Sequence, residues 1–159
     1  MKYRVITTIL LILWMILIFM FSNQNATTSK KVSDTVAKNT ITTVGKVTGK
    51  KYTEKDKKNF IYDSRVVIRK TAHFTLYFIL GILVYFTFRS YGISNKIFIY
   101  SVLFCLLYAI SDEIHQLFSS GRSFKIMDIF IDTIAGSISN YLIYVIKNKK
   151  GCKNKENMV

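Results

Sequence analysis

The sequence is poor in the residue types and motifs that identify common soluble enzymes. It has no proline and only two cysteines among 159 residues. Cys105 lies in an apolar run and Cys152 in a basic tail, so the two belong at different depths and we expect no disulfide between them. No histidine lies near either cysteine, which excludes a zinc motif. The HExxH, Walker and CxxC motifs and a serine–histidine–aspartate order are also missing.

Acidic residues are scarce, since 9 Asp and Glu stand against 23 Lys and Arg, giving a net charge of +14. A soluble protein this basic would suggest nucleic-acid binding. Here the basic residues lie between and after apolar blocks, and no arginine-rich or RNA-binding motif accompanies them. We therefore expect the charge to contact anionic lipid headgroups, with membrane lipids as partners and no nucleic acid.

Hydrophobic residues make up half of the chain and are concentrated in four blocks, residues 5–21, 71–88, 97–118 and 126–146. At about 1.5 Å per helical residue, each block can cross a hydrocarbon core of about 30 Å. The sequence predicts an all-α polytopic membrane protein with four transmembrane helices in one domain, 1–159. The first block is predicted to be an uncleaved anchor, because it is long for a signal peptide and no small-x-small cleavage site follows it.

Residues 22–70 are predicted to form a long polar, extracytoplasmic loop, and residues 147–159 a basic tail. Two structures are possible for the polar segment. One is a solvated loop, and the other is a surface helix with an apolar side formed by Val36, Ile41, Val44 and Val47. Counting Lys and Arg alone favours termini outside. Long loops carry less weight in this rule, and Lys2 and Arg4 directly precede the first span, so we predict both termini in the cytoplasm.

Ionisable residues gather at one end of the four predicted spans. In an alternating bundle, the end of span three meets the starts of spans two and four, while the opposite ends of the spans carry no such group. Charges inside a membrane are costly and need a partner, a watery cavity or a function. The ligand-binding candidates are Arg69, Lys70, Asp112, Gln116, Arg122, Asp128 and Asp132, and the acid–base candidates are His73, Glu113 and His115.

Helical spacing places these candidates on common stripes. Residues four apart lie on one face, which aligns Arg69, His73, Tyr77 and Gly81 on span two. Asp128, Asp132 and Gly136 align in the same way on span four. We expect Gly81 and Gly136 to let the two helices approach closely below a polar pocket.

Several kinds of site suit this cluster. Its charges nearly balance and could simply pair to hold the helices together. Histidines beside carboxylates can move protons near neutral pH, and the basic residues suit a phosphate or carboxylate. No cofactor is predicted outright, but the His and carboxylate residues could also bind Zn²⁺ or a harder divalent ion. A proton path through the bundle is disfavoured, because the other half of each span lacks ionisable groups.

The same residues, in this order, make the chain resemble the VanZ-like family of bacterial membrane proteins. The matching pieces are Phe21-Ser-x-Gln24, Arg69-Lys-Thr-Ala-His-Phe74, Tyr108-Ala-Ile-Ser-Asp-Glu-Ile-His-Gln-Leu-Phe118, Gly121-Arg-Ser123 and Asp128-x-x-x-Asp132-Thr-x-x-Gly136. They cover most of the chain except the middle of the polar segment and the tail. Ser119-Ser120 stands where the family often has Val-Pro, a change that leaves Arg122 in place.

The resemblance implies a protein of the bacterial cell envelope, because the founding member is associated with resistance to teicoplanin, a lipoglycopeptide that targets cell-wall precursors. The expected function is to lower sensitivity to such antibiotics by binding or shielding an extracytoplasmic ligand, with a cell-wall precursor or the lipoglycopeptide as partner. The alternative is a membrane hydrolase or transferase acting on a lipid-linked or phosphate-bearing envelope molecule. In that case Glu113 or His115 would be the base and His73 the acid.

Overall fold

A computed structural model of the chain describes the backbone of residues 1–156 and the side chains of residues 1–147. Within that backbone the protein is all-α, with no β-strand. The five helices are α1 (Lys2–Ser22), α2 (Ala26–Thr48), α3 (Glu54–Ser90), α4 (Ile97–Gln116) and α5 (Ile126–Glu156). The prediction of an all-α protein is confirmed.

Four of these helices are long and apolar enough to cross a membrane: α1, α3, α4 and residues Ile126–Lys147 of α5. The four predicted blocks lie in these helices, although α4, which contains the third block, ends at Gln116, two residues before the predicted end. Large apolar side chains remain exposed along them, such as Leu13 on α1 and Leu107 on α4. A four-span bundle has too few internal contacts to cover these faces, so they suit contact with lipid.

The prediction of a long loop over residues 22–70 is wrong, because most of the segment is helical. Asn25 caps α2 by accepting a hydrogen bond from the Thr28 amide at 2.9 Å, and Gly49 ends the helix with a φ of 68°. Thr53 and Asp56 form a capping box that begins α3. These are standard start and stop signals of helices, and they leave only short connections on either side of α2.

α2 runs antiparallel to the first part of α3 and contacts no other helix extensively in the described chain. The Arg65 guanidinium donates to both carboxylate oxygens of Asp34, at 2.6 and 3.0 Å. Ser33, Ala37 and Ile41 are the buried residues of α2. The row that packs against α3 therefore shares only Ile41 with the predicted apolar row, whose other members, Val36, Val44 and Val47, are exposed.

α3 is the central helix, since it packs against all four others. Its 37 residues span about 55 Å, more than the hydrocarbon thickness of about 30 Å. The apolar part of α3 therefore fits the bilayer, while its first turns extend beyond one face together with α2. The predicted basic tail is likewise a continuation of α5 as far as Glu156, and residues 157–159 lie outside the described chain.

α3 and α5 approach closely at two glycines, as predicted. A Cβ added to Gly81 would lie 2.7 Å from the Gly136 carbonyl oxygen and 2.9 Å from its Cα, and would also meet the Ser139 hydroxyl. A Cβ added to Gly136 would lie 2.8 Å from Cys105 Sγ on α4. These approaches bring α3, α4 and α5 together directly below the ends that carry the charged residues.

α1 is held to the other helices by side-chain hydrogen bonds to backbone carbonyls. Trp14 Nε1 donates to the Leu76 carbonyl on α3 at 2.9 Å, and the Tyr108 hydroxyl on α4 donates to the Met15 carbonyl at 2.7 Å. These bonds place the end of α1 beside the charged ends of α3 and α4.

The turn between α4 and α5 completes that end of the bundle. Gly121 has a φ of 76°, a left-handed conformation that glycine adopts without a steric penalty. The Ala26 amide donates to the Ser120 carbonyl at 3.2 Å, so the turn is tied to the start of α2. Arg122 and Lys125 are therefore positioned over the ends of α3, α4 and α5.

Candidate functional site

His73, Asp112 and Asp132 come together from three helices, α3, α4 and α5. Each offers one potential ligand atom, and these three atoms lie within 4.8 Å of one another. His73 Nδ1 is 3.7 Å from Asp132 Oδ2, an ion-pair distance that is longer than a hydrogen bond. The close helix approach at Gly81 and Gly136 is what allows side chains this short to meet.

The carboxylates of this cluster are almost fully buried, with 3% of Asp112 and 1% of Asp132 exposed. Considering the side chains that the structure describes, both carboxylate oxygens of Asp132, Oδ1 of Asp112 and His73 Nδ1 have no hydrogen-bond partner. The nearby Tyr77 hydroxyl is also buried without one. Buried polar atoms in native proteins are normally paired, so the cluster has an unfilled capacity to bind something.

Gln116 links this cluster to the turn. Its Nε2 donates to Asp112 Oδ2 at 3.1 Å, and its Oε1 accepts from Arg122 Nη1 at 2.7 Å. The amide can serve both neighbours because it carries a donor and an acceptor on one rigid group. Asp112 and Arg122 are therefore connected without being in direct contact.

A small polar pocket of about 50 Å³ lies above the cluster, which is space for a few water molecules or a small anionic group. Its polar wall is formed by Arg69, His73, Gln116, Arg122, Lys125 and Asp128. Lys70 lies at a narrower cleft beside it, with Asp128 and Asp132. The structure thus brings together all seven residues predicted to bind a ligand.

The basic residues of the polar pocket form no ion pairs with the neighbouring carboxylates among the described side chains. Across the described side chains, the only ion pairs are Glu54–Lys57, Asp34–Arg65 and His73–Asp132. Arg69, Lys70, Arg122 and Lys125 take part in none of them. Burial and the nearby Arg69 lower the pKa of the Arg122 guanidinium from its usual value. Two neighbouring guanidinium groups that make no direct ion pair favour an incoming anion.

An apolar groove of about 420 Å³ opens beside the polar pocket, between α1, α2 and α3. Trp14, Val32, Ile68, Leu76 and Ile79 form much of its wall. Ser29, Arg69, His73 and Arg122 border both spaces. The site therefore combines a basic pocket with an adjoining apolar groove, an arrangement that suits an amphiphile with a negative charge.

Two acid–base candidates lie elsewhere. Glu113 is 1% exposed, and its Oε2 accepts from the Lys125 backbone amide at 2.8 Å, which anchors the start of α5. The His115 ring stacks on Phe19 of α1 with a centroid distance of 4.0 Å. Neither residue lines the polar pocket or the apolar groove. Of the three candidates, only His73 borders the space that a ligand would occupy.

Sequence reasoning missed the contribution of α2 to the site. Ser29 and Val32 became visible only when the 22–70 segment proved to be helical and to pack along α3. Phe21 and Gln24 also line the groove and were part of the motif that leaves the first span. The Asn25 helix cap, followed by an uninterrupted helix-compatible stretch, was the signal that would have predicted α2.

Comparison with known proteins gives one result. The sequence profile of the VanZ/LLP1 family matches residues 7–148, nearly the whole chain, and so includes every residue of the polar pocket and the apolar groove. No curated protein and no solved structure matches the chain.

Proposed function

Since the chain belongs to the VanZ/LLP1 family, we propose that it is a multi-pass protein of the bacterial plasma membrane that lowers sensitivity to lipoglycopeptide antibiotics such as teicoplanin. It does so by binding or shielding an extracytoplasmic ligand at the polar pocket. Both termini lie in the cytoplasm in this proposal, which puts the pocket and α2 on the outer face.

One observation carries the proposal: the polar pocket and the apolar groove adjoin, because they share lining residues that include two arginines. Arg69 and Arg122 border both spaces and have no ion-pair partner among the described side chains. A charged hydrogen bond to a guanidinium is worth about 1.5–3 kcal/mol. The groove adds apolar burial at about 25 cal/mol per Å². A ligand with a phosphate or carboxylate and a hydrocarbon part would gain both terms.

The partners that this chemistry favours are a lipid-linked cell-wall precursor or the lipoglycopeptide itself. The anionic group of the ligand would contact Arg69, Lys70 and Arg122. Its hydrocarbon part would lie along Trp14 and Leu76. Asp112, Asp128 and Asp132 would position the basic residues and meet cationic groups. Occupying the precursor or the antibiotic at the membrane surface would lower the amount of drug that reaches its target.

The test is the teicoplanin sensitivity of cells that lack the native gene and express Arg69→Gln or Arg122→Gln. Each substitution keeps a polar side chain and removes the charge, so we expect protection to fall while membrane expression stays normal. Arg89→Gln is the matched control, because Arg89 is an exposed arginine at the other end of α3, the helix that carries Arg69. Full protection by both pocket variants at normal expression would refute the proposal.

A membrane hydrolase or transferase is the second candidate, and the unpartnered buried atoms of His73, Asp112 and Asp132 favour it. In this version His73 transfers a proton and the arginines stabilise negative charge on the substrate. Purified protein should then turn over a lipid-linked envelope substrate, and His73→Gln should stop turnover while the protein still folds. If the purified protein binds lipid-linked molecules saturably but does not turn them over, it is a binding protein and not an enzyme.

A further inference from the structure

We propose that His73, Asp112 and Asp132 form a binding site for one divalent transition-metal ion, of the kind that accepts one imidazole and two carboxylates, such as Zn²⁺ or Mn²⁺. The three potential ligand atoms come from three helices and lie within 4.8 Å of one another. Imidazole and carboxylate are common ligands of these ions. The proposal concerns the interior of the bundle and holds whatever ligand the polar pocket accepts.

The separations are close to those of a coordinated ion. With metal–ligand bonds of about 2.0–2.2 Å, two ligands of a tetrahedral ion are about 3.3–3.6 Å apart. His73 Nδ1 and Asp132 Oδ2 are 3.7 Å apart. Small side-chain rotations at Asp112 would bring the third atom into range, since aspartate can turn its carboxylate without moving the helix.

The burial of the carboxylates is the second, independent reason. Asp112 and Asp132 are 3% and 1% exposed, and three of their four oxygens have no hydrogen-bond partner among the described side chains. Two buried carboxylates beside a single imidazole leave negative charge uncompensated if both are ionised, which is very unfavourable in a low-dielectric interior. A doubly charged cation neutralises that charge and uses the free oxygens together.

The surroundings also resemble the outer shell of a metal site. Ligating carboxylates are usually held by a further hydrogen bond, and Gln116 Nε2 provides one to Asp112 Oδ2. The Tyr77 hydroxyl, fully buried and without a partner in the part of the chain described, is a neighbouring polar group. His73 borders the polar pocket, which gives an ion a path to the cluster from one face of the bundle.

Simple structural pairing explains these atoms less well. An imidazole that bridged two carboxylates would do so through hydrogen bonds, whereas His73 Nδ1 makes none and is at 3.7 Å from its nearest carboxylate oxygen. Arg122 forms no ion pair with Asp112 among the described side chains and donates instead to Gln116 Oε1. Among the described side chains, neither Asp112 nor Asp132 forms an ion pair with a lysine or arginine, which leaves their oxygens available to a cation.

The test uses the full chain, purified in detergent without a histidine tag and stripped with a chelator. After incubation with Zn²⁺ or Mn²⁺ and desalting, elemental analysis by inductively coupled plasma mass spectrometry should find about one ion per chain. Addition of the metal should raise the melting temperature, because an ion that binds only the folded state stabilises it. Cobalt in place of the native ion should give an absorption spectrum typical of nitrogen and oxygen ligands.

Asp132→Asn and His73→Gln should lose the bound ion and the shift in melting temperature. His115→Gln is the matched control, since it removes the other histidine of the bundle and should leave both signals unchanged. Wild-type protein that retains no ion and shows no shift with either metal would overturn the proposal, and this result does not depend on whether a variant folds. Equal loss of the ion in His115→Gln would overturn it as well.

Discussion

The guanidinium of Arg122 donates a 2.7 Å hydrogen bond to the amide oxygen of Gln116. The amide nitrogen of Gln116 donates to Asp112, so Arg122 is oriented over the polar pocket without a direct ion pair to a carboxylate among the described side chains. Replacing the Gln116 amide by a carboxylate would add a negative charge beside Arg122 without changing the size of the side chain.

We expect Gln116→Glu to weaken ligand binding by about tenfold or more and to reduce protection from teicoplanin. The new carboxylate would pair with Arg122 and compete with an anionic ligand, where one charged hydrogen bond is worth about 1.5–3 kcal/mol. The measurement is the minimum inhibitory concentration at matched expression. Asn95→Asp, an exposed amide at the opposite end of the bundle, is the control. Undiminished protection by Gln116→Glu would contradict the role given to Arg122.

The contact between Gly81 and Gly136 predicts how the bundle responds to a single added methyl group. Gly81→Ala and Gly136→Ala should each destabilise the protein by about 1–3 kcal/mol, the usual cost of overpacking a core. Melting of the purified protein in detergent measures the effect. Ile134→Ala, at an exposed position on α5, should change the melting temperature much less.

A second substitution should rescue the stability of the two glycine variants to different extents. Cys105→Ala should restore part of the stability lost in Gly136→Ala, because it removes the Sγ atom 2.8 Å from the new methyl group. Ser139→Ala should restore little in Gly81→Ala, since that methyl group would still meet the backbone of Gly136. Equal rescue in both pairs would show that the backbone approach is not limiting.

The two histidines are expected to behave differently in cells. His115→Gln should preserve protection, because His115 stacks on Phe19 away from the polar pocket, and loss of the stack costs about 0.5–1.5 kcal/mol of stability. His73→Gln should abolish protection, since His73 borders the pocket and the buried carboxylates. Teicoplanin sensitivity and membrane abundance of both variants provide the comparison. The reverse pattern would move the site to α1 and α4.

The orientation predicts which turns can be labelled from outside. In a background with Cys152→Ser, an impermeant maleimide should label Ser120→Cys in intact cells, because Ser120 is exposed in the turn at the charged end. Ser94→Cys, exposed in the α3–α4 turn, should react only after permeabilisation. Cys105 is buried and should stay unlabelled in both. Labelling of Ser94→Cys alone in intact cells would mean that the termini lie outside.

The ion pair between Asp34 and Arg65 is expected to hold α2 along α3. Arg65→Glu should place like charges together and increase protease cleavage within α2, and the double variant Asp34→Lys with Arg65→Glu should reverse the increase. Lys31→Glu, an exposed change on α2, controls for altered charge alone. Cleavage that is the same in all variants would show that apolar contacts around Ala37 and Ile41 suffice.

Much of the site could be predicted from spacing along single helices. Arg69, His73, Tyr77 and Gly81 recur every four residues, and the helical period puts them on one face without any tertiary information. The same holds for Asp128, Asp132 and Gly136. The alternation of spans then places the charged ends together. Hydropathy is strong enough to fix each span because an unpaired charge or backbone group in lipid is so costly.

Glu113 and His115 show where this reasoning stops. Both lie within one turn of Asp112, so the sequence groups the three residues together. In the folded chain Glu113 binds the Lys125 amide and His115 packs on α1. Each step of about 100° around α4 faces a different neighbour, and the sequence does not say which neighbour lies in which direction.

The sequence by itself determined the all-α class, the four spans and the stripes of polar residues, because each depends on local composition or on the period of one helix. It also determined the family, because the order of the motifs along the chain is a property of the sequence. Only the tertiary structure decided that residues 26–48 pack along α3, that Gln116 links Arg122 to Asp112, and that His73, Asp112 and Asp132 meet. These features depend on how far apart the helices pack and how each is rotated about its axis. Both are set by contacts such as that of Gly81 with Gly136, between residues distant in the chain.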